Sequence, residues 1–181
     1  MSKVKFTVHN MVISVEFSDR IDLPKLAEKL DGAEYIPEEF PGLVYKIKSP
    51  KTSFLIFSSG KMNCTGARSL EEAQEAIKNV LIKLEHLGIK VRKPKIVIQN
   101  IVASANLNKN IDLDKVLQLE GTEYEPEVFP GLTYRIRSRV AFLIFGSGKV
   151  VCVGARSIKE IKESFDYLIT KLRRIGAIKR R

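Results

Sequence analysis

Cysteine and histidine are scarce in this chain. Its 181 residues hold two of each, Cys64 and Cys152, His9 and His86. Two thiols make no disulfide framework, and without a His or Cys close by they make no zinc site, so no metal and no other cofactor is expected. A reducing, cytoplasmic setting is the simplest expectation. No apolar run approaches the ~20 residues that a bilayer span requires, and no signal-type segment follows the charged start at Met1 to Lys5. Neither a membrane partner nor secretion is expected. No glycine-rich segment has phosphate-loop spacing. Glu38 and Glu39 form a carboxylate pair, but Phe40-Pro41 puts them on a loop. His86 falls near a helix end, His9 has the parity of a helix-facing or edge residue, and both cysteines have core parity. No catalytic constellation emerges, and an enzyme is not expected.

What is plentiful is positive charge. Thirty-one Lys and Arg face 21 Asp and Glu, a net +10. Residues 1–90 carry 13 basic and 12 acidic groups, hence +1, and residues 91–181 carry 18 and 9, hence +9. Such an excess suits a polyanionic partner, and equally a solvated basic surface. Apolar residues make up 44% and charged residues 29%, a globular composition.

The chain repeats itself. Glu34-Tyr-Ile-Pro-Glu-Glu-Phe-Pro-Gly-Leu-Val-Tyr-Lys-Ile-Lys48 returns as Glu123-Tyr-Glu-Pro-Glu-Val-Phe-Pro-Gly-Leu-Thr-Tyr-Arg-Ile-Arg137, identical at ten of 15 positions. Phe54-Leu-Ile-Phe-Ser-Ser-Gly-Lys-Met-Asn-Cys-Thr-Gly-Ala-Arg-Ser69 returns as Phe142-Leu-Ile-Phe-Gly-Ser-Gly-Lys-Val-Val-Cys-Val-Gly-Ala-Arg-Ser157, identical at 12 of 16. The offset is 88 to 90 residues, which fits a pseudo-twofold pair of α+β halves.

Each half predicts the same elements. Residues 3–17 and 94–107 are rich in Val and Ile and read as long strands. Asp22 and Asp112 are N-cap residues for short helices that run to Gly32 and Gly121. Strands follow near 43–48, 53–58 and 61–66, with counterparts near 132–137, 140–145 and 149–154. Ser69-Leu-Glu-Glu72 and Ser157-Ile-Lys-Glu160 are capping boxes that open two long helices, with stops at Gly88 and Gly176. Ala73, Ile77, Val80, Leu81 and Leu84 stripe the first. Ile161, Phe165, Leu168, Ile169 and Leu172 stripe the second.

Strand parity leaves too much apolar surface. Met11, Ile13, Val15, Phe54, Ile56, Met62 and Cys64 take one face. Val12, Leu55 and Phe57, with their copies Val102, Leu143 and Phe145, take the other. Two helices per half cover one face only, and a large bare apolar patch calls for a partner. Lys46, Lys48, Lys61, Arg135, Arg137 and Lys149 fall on or near that open face. An apolar floor with cationic edges suits the DNA minor groove, where sugars pack and phosphates need cations. Asn10, Asn100 and Thr65 could donate to adenine N3 or thymine O2, and the guanine amino group would fit badly there.

Taken together, the paired Phe-Pro-Gly-Leu, Phe-Leu-Ile-Phe…Ser-Gly-Lys and Gly-Ala-Arg-Ser motifs, with Gln99-Asn100-Ile101-Val102, closely resemble the TATA-binding protein core of the archaeal type. The short stretch before the first strand and the likeness of the halves favour that type. The resemblance implies a pseudo-twofold saddle of two repeats, 1–90 and 91–181, the second with a basic tail. It implies a curved ten-stranded antiparallel sheet with four helices on the convex face. Binding and bending of A·T-rich promoter DNA through the minor groove are this family's known mechanism and come with the resemblance. Wedge phenylalanines carry over to Phe40 with Phe57 and to Phe129 with Phe145. The central asparagines carry over to Asn10 and Asn100. Val12, Val102, Leu55, Leu143 and Val151 match the floor, and Lys46, Lys51, Lys61, Arg135 and Lys149 match backbone-facing positions.

Three departures stand out. Thr65 keeps the family's threonine but Val153 does not, so one central hydrogen bond should be missing. Asn63 replaces the valine that Val151 retains. The end, Lys171 to Arg181, holds six basic residues where many archaeal relatives are acidic. The resemblance further implies promoter DNA and transcription factor B as partners, the latter at Glu125 and Glu127, with RNA polymerase recruited indirectly. It implies a nucleoid-associated place in the cell. The rival reading from the residues is a protein–protein module whose open sheet buries against a partner or against a second copy when free of DNA.

Overall fold

The computed structural model describes residues 4–136 and 139–178. It shows an α+β fold with antiparallel strand pairing throughout the ladders. By compactness the chain divides into an amino-terminal unit, Asn10–Gln99, and a carboxy-terminal unit that joins Asn100–Arg181 to Met1–His9.

The β-branched runs give β1 (Phe6–Glu16), and the Asp22 carboxylate accepts from the Lys25 amide to start α1 (Leu23–Lys29). Three strands follow: β2 (Leu43–Lys48), β3 (Lys51–Ile56) and β4 (Lys61–Ala67). Ser69 then caps α2 (Leu70–His86), its Oγ accepting from the Glu72 amide at 3.1 Å. In the amino-terminal unit the ladder runs β2-β3-β4-β1.

The second copy repeats the plan. After β5 (Lys95–Asn106), Asp112 caps α3 (Leu113–Val116), and β6 (Thr122–Glu123), β7 (Leu132–Arg135), β8 (Ala141–Ile144) and β9 (Lys149–Ala155) follow. Ser157 caps α4 (Ile158–Arg174). This ladder runs β5-β9-β8-β7-β6.

Two expectations change. Among the described residues there are nine strands, not ten. The missing one is the amino-terminal counterpart of β6, reduced to a single bridge between Glu34 and Val44. The helix from Asp112 does not reach Gly121 but ends at Val116. There the amides of Gln118 and Leu119 bond carbonyls three residues back, a tightened turn that stops α-helical propagation. Arg137, expected at the open face, and Lys179 to Arg181 of the tail lie outside the described residues.

The core sits between each ladder and its long helix. Buried strand residues alternate with half-exposed ones, and the buried set meets the apolar stripe of the helix. In the carboxy-terminal unit the Phe142 ring of β8 packs against Phe165 of α4 with centroids 5.9 Å apart. In the amino-terminal unit Lys83 of α2 stands 5.5 Å over the Tyr45 ring of β2. Cys64 and Cys152 are fully buried in these cores. Burial, and then Glu72, push the Cys64 thiol up to about 11. Burial, and then Glu160, push Cys152 up to about 12.

Candidate nucleic-acid interface

The face of each ladder away from its long helix is a floor of half-buried side chains. In the amino-terminal unit it holds Asn10, Val12, Ser14, Val44, Ser53, Leu55, Phe57, Asn63 and Thr65. Register orders them into rows. Ser14, Asn63, Leu55 and Val44 lie side by side across four strands, and Thr65, Ser53 and Lys46 form the next row. In the carboxy-terminal unit the rows read Ser104, Val151, Leu143, Thr133 and Val153, Ala141, Arg135. Asn100, Val102 and Phe145 complete that floor.

The five expected phosphate-facing cations fall on this face. Lys46, Lys51, Lys61, Arg135 and Lys149 are all exposed, and each shares the parity of its strand's floor residues. Lys46 and Arg135 end their rows. Lys61 stands opposite Glu16, whereas Lys149 stands opposite Asn106. Lys48 is exposed at the end of β2.

Phe-Pro-Gly-Leu acquires a physical meaning. Phe40 and Phe57 meet edge to face at 6.0 Å, and Phe129 and Phe145 do so at 5.8 Å. Phe40 is 38% exposed and Phe129 43%. A tight turn holds each loop ring, with the Phe40 amide on the Ile36 carbonyl and the Phe129 amide on the Glu125 carbonyl. The glycine makes room for both rings: a Cβ on Gly42 would stand 2.7 Å from Phe40 and 3.0 Å from Phe57, and one on Gly131 would meet Phe129 and Phe145 at the same distances.

The asparagines are positioned by a device that sequence reasoning missed. Thr65 and Gly66 together stand opposite Val12, and Val153 and Gly154 opposite Val102, so each ladder carries a bulge. At these bulges Gly66 has φ +101° and Gly154 φ +96°. The freed amide of Gly66 donates to Asn10 Oδ1 at 2.6 Å, and that of Gly154 to Asn100 Oδ1 at 2.7 Å. With the oxygen engaged as acceptor, each carboxamide keeps its N–H groups as donors. The signal was available, since a glycine inside a strand marks a bulge or a close approach. Arg139 was also missed. It follows Lys51's place in the repeat and pairs with Glu160 through one guanidinium nitrogen at 3.1 and 2.9 Å, while Glu160 also accepts from the Arg156 amide.

His9 faces neither a helix nor a bare edge; it is exposed, with Nε2 2.6 Å from Ser104 Oγ. His86 is exposed near the end of α2. Glu125 and Glu127 are exposed on the loop before Phe129, where Val128 is 80% exposed. Among the described residues no cluster of His, Cys, Asp or Glu could hold a metal ion, and no helix is long and apolar enough to cross a membrane.

Comparison with known proteins agrees with this geometry. Residues 5–87 and 95–175 match the family described as transcription factor TFIID, or TATA-binding protein. The TATA-box-binding protein of Thermoplasma acidophilum is 46% identical over 179 residues, covering 96% of this chain and 97% of its own. That of Methanosphaera stadtmanae is 51% identical over 160 residues, covering 87% of each. The solved structure titled Methanococcus jannaschii TBP superposes with a TM-score of 0.87 at 47% identity, covering 94% of this chain and 99% of that one. Matched through both repeats and across nearly its whole length, this chain belongs to the TATA-binding protein family.

Proposed function

We propose that this protein is a general transcription factor that binds A·T-rich promoter DNA in the minor groove and bends it. One observation carries the reading. Each unit presents a half-buried floor of apolar and uncharged polar side chains, closed by a phenylalanine pair of which one ring is exposed and edged by cations of the same strand parity. Leu55, Val12 and their copies pack on sugars and base edges. The N–H groups of Asn10 and Asn100, whose oxygens the bulge amides hold, donate to adenine N3 and thymine O2. Lys46, Lys51, Lys61, Arg135 and Lys149 neutralise phosphates. Phe40 with Phe57, and Phe129 with Phe145, enter base steps and unstack them, the wedge-and-bend mechanism for which this family is the known example. Flexible TA steps lower the cost of that deformation.

Bound and bent, the DNA is a platform for the preinitiation complex. The exposed loop with Glu125, Glu127 and Val128 is the docking point for transcription factor B, which in turn brings RNA polymerase.

The test is competition binding with a duplex containing TATAAA and a scrambled G·C-rich duplex. The proposal expects a preference on the order of a thousandfold at moderate salt. Equal binding of the two, or no binding with self-association through the apolar faces, would overturn it.

A further inference from the structure

The two floors differ where they should be most alike. In the row that runs through β4, the amino-terminal unit has Asn63 between Ser14 and Leu55. In the matching row through β9, the carboxy-terminal unit has Val151 between Ser104 and Leu143. The next row sharpens the contrast, with Thr65 and Ser53 against Val153 and Ala141. Three positions that carry the same backbone thus carry different hydrogen-bonding capacity.

Asn63 also differs from the two asparagines already described. Asn10 and Asn100 have their oxygens committed to the glycine amides of the bulges. The Asn63 carboxamide has no hydrogen-bond partner among the described residues. It lies half-buried on the floor, so both its oxygen and its nitrogen remain available to a ligand there.

The minor groove distinguishes base pairs by little. A·T and T·A present only acceptors, and G·C adds one donor, the guanine amino group. A wall of valine and alanine leaves that donor desolvated and unpaired. A free carboxamide oxygen accepts from it, and a turn of the same group presents N–H to adenine or thymine instead. Valine and asparagine are close in size, so depth is not what separates the floors.

We infer that Asn63 is a specificity-determining residue that lets the amino-terminal unit accept a G·C pair in its half of the DNA site, while the carboxy-terminal unit, with Val151 and Val153, stays restricted to A·T. This rests on the minor-groove reading above. The protein then reads its promoter asymmetrically, and a single G·C pair fixes which way round it binds.

The experiment uses a self-complementary A·T duplex, the same duplex with one G·C pair in one half, and the same with a G·C pair in each half. Wild type is expected to tolerate the single substitution with little loss, by turning its amino-terminal unit to it. It should lose roughly tenfold on the doubly substituted duplex. Asn63→Val should lose roughly tenfold on the single substitution already. Val151→Asn should recover binding to the doubly substituted duplex. Asn63→Val gives the amino-terminal unit the residue its own repeat carries, so folding is safe, and thermal unfolding of both variants checks it. Equal losses for wild type and Asn63→Val on the singly substituted duplex would overturn the inference while leaving minor-groove binding intact. A scrambled G·C-rich duplex is the control arm, and failure of the all-A·T duplex to be preferred over it would remove the minor-groove reading and the inference with it.

Discussion

The amino-terminal and carboxy-terminal units share part of their buried skeleton outright, and their open faces differ at a few positions in hydrogen-bonding capacity. Phe54 and Phe142, Ile56 and Ile144, and Cys64 and Cys152 are fully buried equivalents. The phenylalanine pairs agree to within 0.2 Å in centroid distance, 6.0 against 5.8 Å. The floor instead exchanges Asn63 for Val151, Thr65 for Val153 and Ser53 for Ala141. The rim exchanges Glu16, opposite Lys61, for Asn106, opposite Lys149. Core pairs such as Ile13 and Ala103, Val15 and Ala105, and Ile77 and Phe165 exchange one apolar residue for another, whereas these floor exchanges change hydrogen-bonding capacity. The difference teaches that the two units should contribute unequally to DNA binding, the carboxy-terminal unit more through apolar contact, the amino-terminal unit more through hydrogen bonds.

The wedges are where this comparison should fail to find a difference. Phe57→Ala and Phe145→Ala each remove about 1.5–3 kcal/mol of apolar burial on DNA, roughly tenfold to a hundredfold in affinity. Titration of each variant with a labelled TATAAA duplex checks it, and a loss confined to one variant would break the proposed equivalence. The bulges come next. Gly154→Ala forces a Cβ into the Arg139 carbonyl, whereas Gly66→Ala meets the Lys51 carbonyl at 3.2 Å, and both positions have positive φ. Strain of about 1–3 kcal/mol is expected, greater at Gly154, and thermal unfolding measures the order.

How much of this was legible beforehand depends on what a pattern can encode. The repeat, the Asp22, Asp112, Ser69 and Ser157 caps, the long helices and the face assignments follow from local spacing, and the structure has them. The bulges do not follow, because two residues opposite one is a property of the pairing between β1 and β4 and between β5 and β9. Hence the roles of Gly66 and Gly154 in orienting Asn10 and Asn100 stayed hidden, although their residue type hinted at them. The truncated α3 was equally hidden: Leu117 to Glu120 suit a helix, but the chain turns early towards β6. The partnership of Arg139 with Glu160 joins residues 21 apart in sequence through the fold, and no motif announces it.

Smaller effects sharpen the contrast at the rim. Lys149→Ala should lower the salt slope of DNA binding by about 0.9, the release of one counterion. Lys61→Ala should lower it by less, because Glu16 stands across from Lys61. Glu16→Gln should then raise affinity at low salt, and binding measured over a salt series tests all three.

The smallest effect concerns stability at high pH. Burial raises the two thiols from an ordinary value of 9.0 to about 11 at Cys64 and about 12 at Cys152. A raised folded pKa stabilises fully below the unfolded value, so stability should decline as pH rises above 9 and continue falling until the folded thiols titrate. Burial, and then the Tyr167 hydroxyl, likewise hold the Tyr134 phenol above its usual range, adding to the decline beyond pH 10. Denaturant unfolding at pH 8, 9.5 and 10.5 reads the slope, and Cys64→Ala and Cys152→Ala should each flatten it by a similar amount.

The central claim is that both open floors grip and deform one A·T-rich duplex. Energy transfer between dyes at the two ends of a TATAAA duplex tests this most directly. The account predicts that saturating wild-type protein shortens the end-to-end distance, that a G·C-rich duplex shows no such change, and that Phe57→Ala with Phe145→Ala restores the straight duplex. Saturated binding with the end-to-end distance unchanged would contradict it.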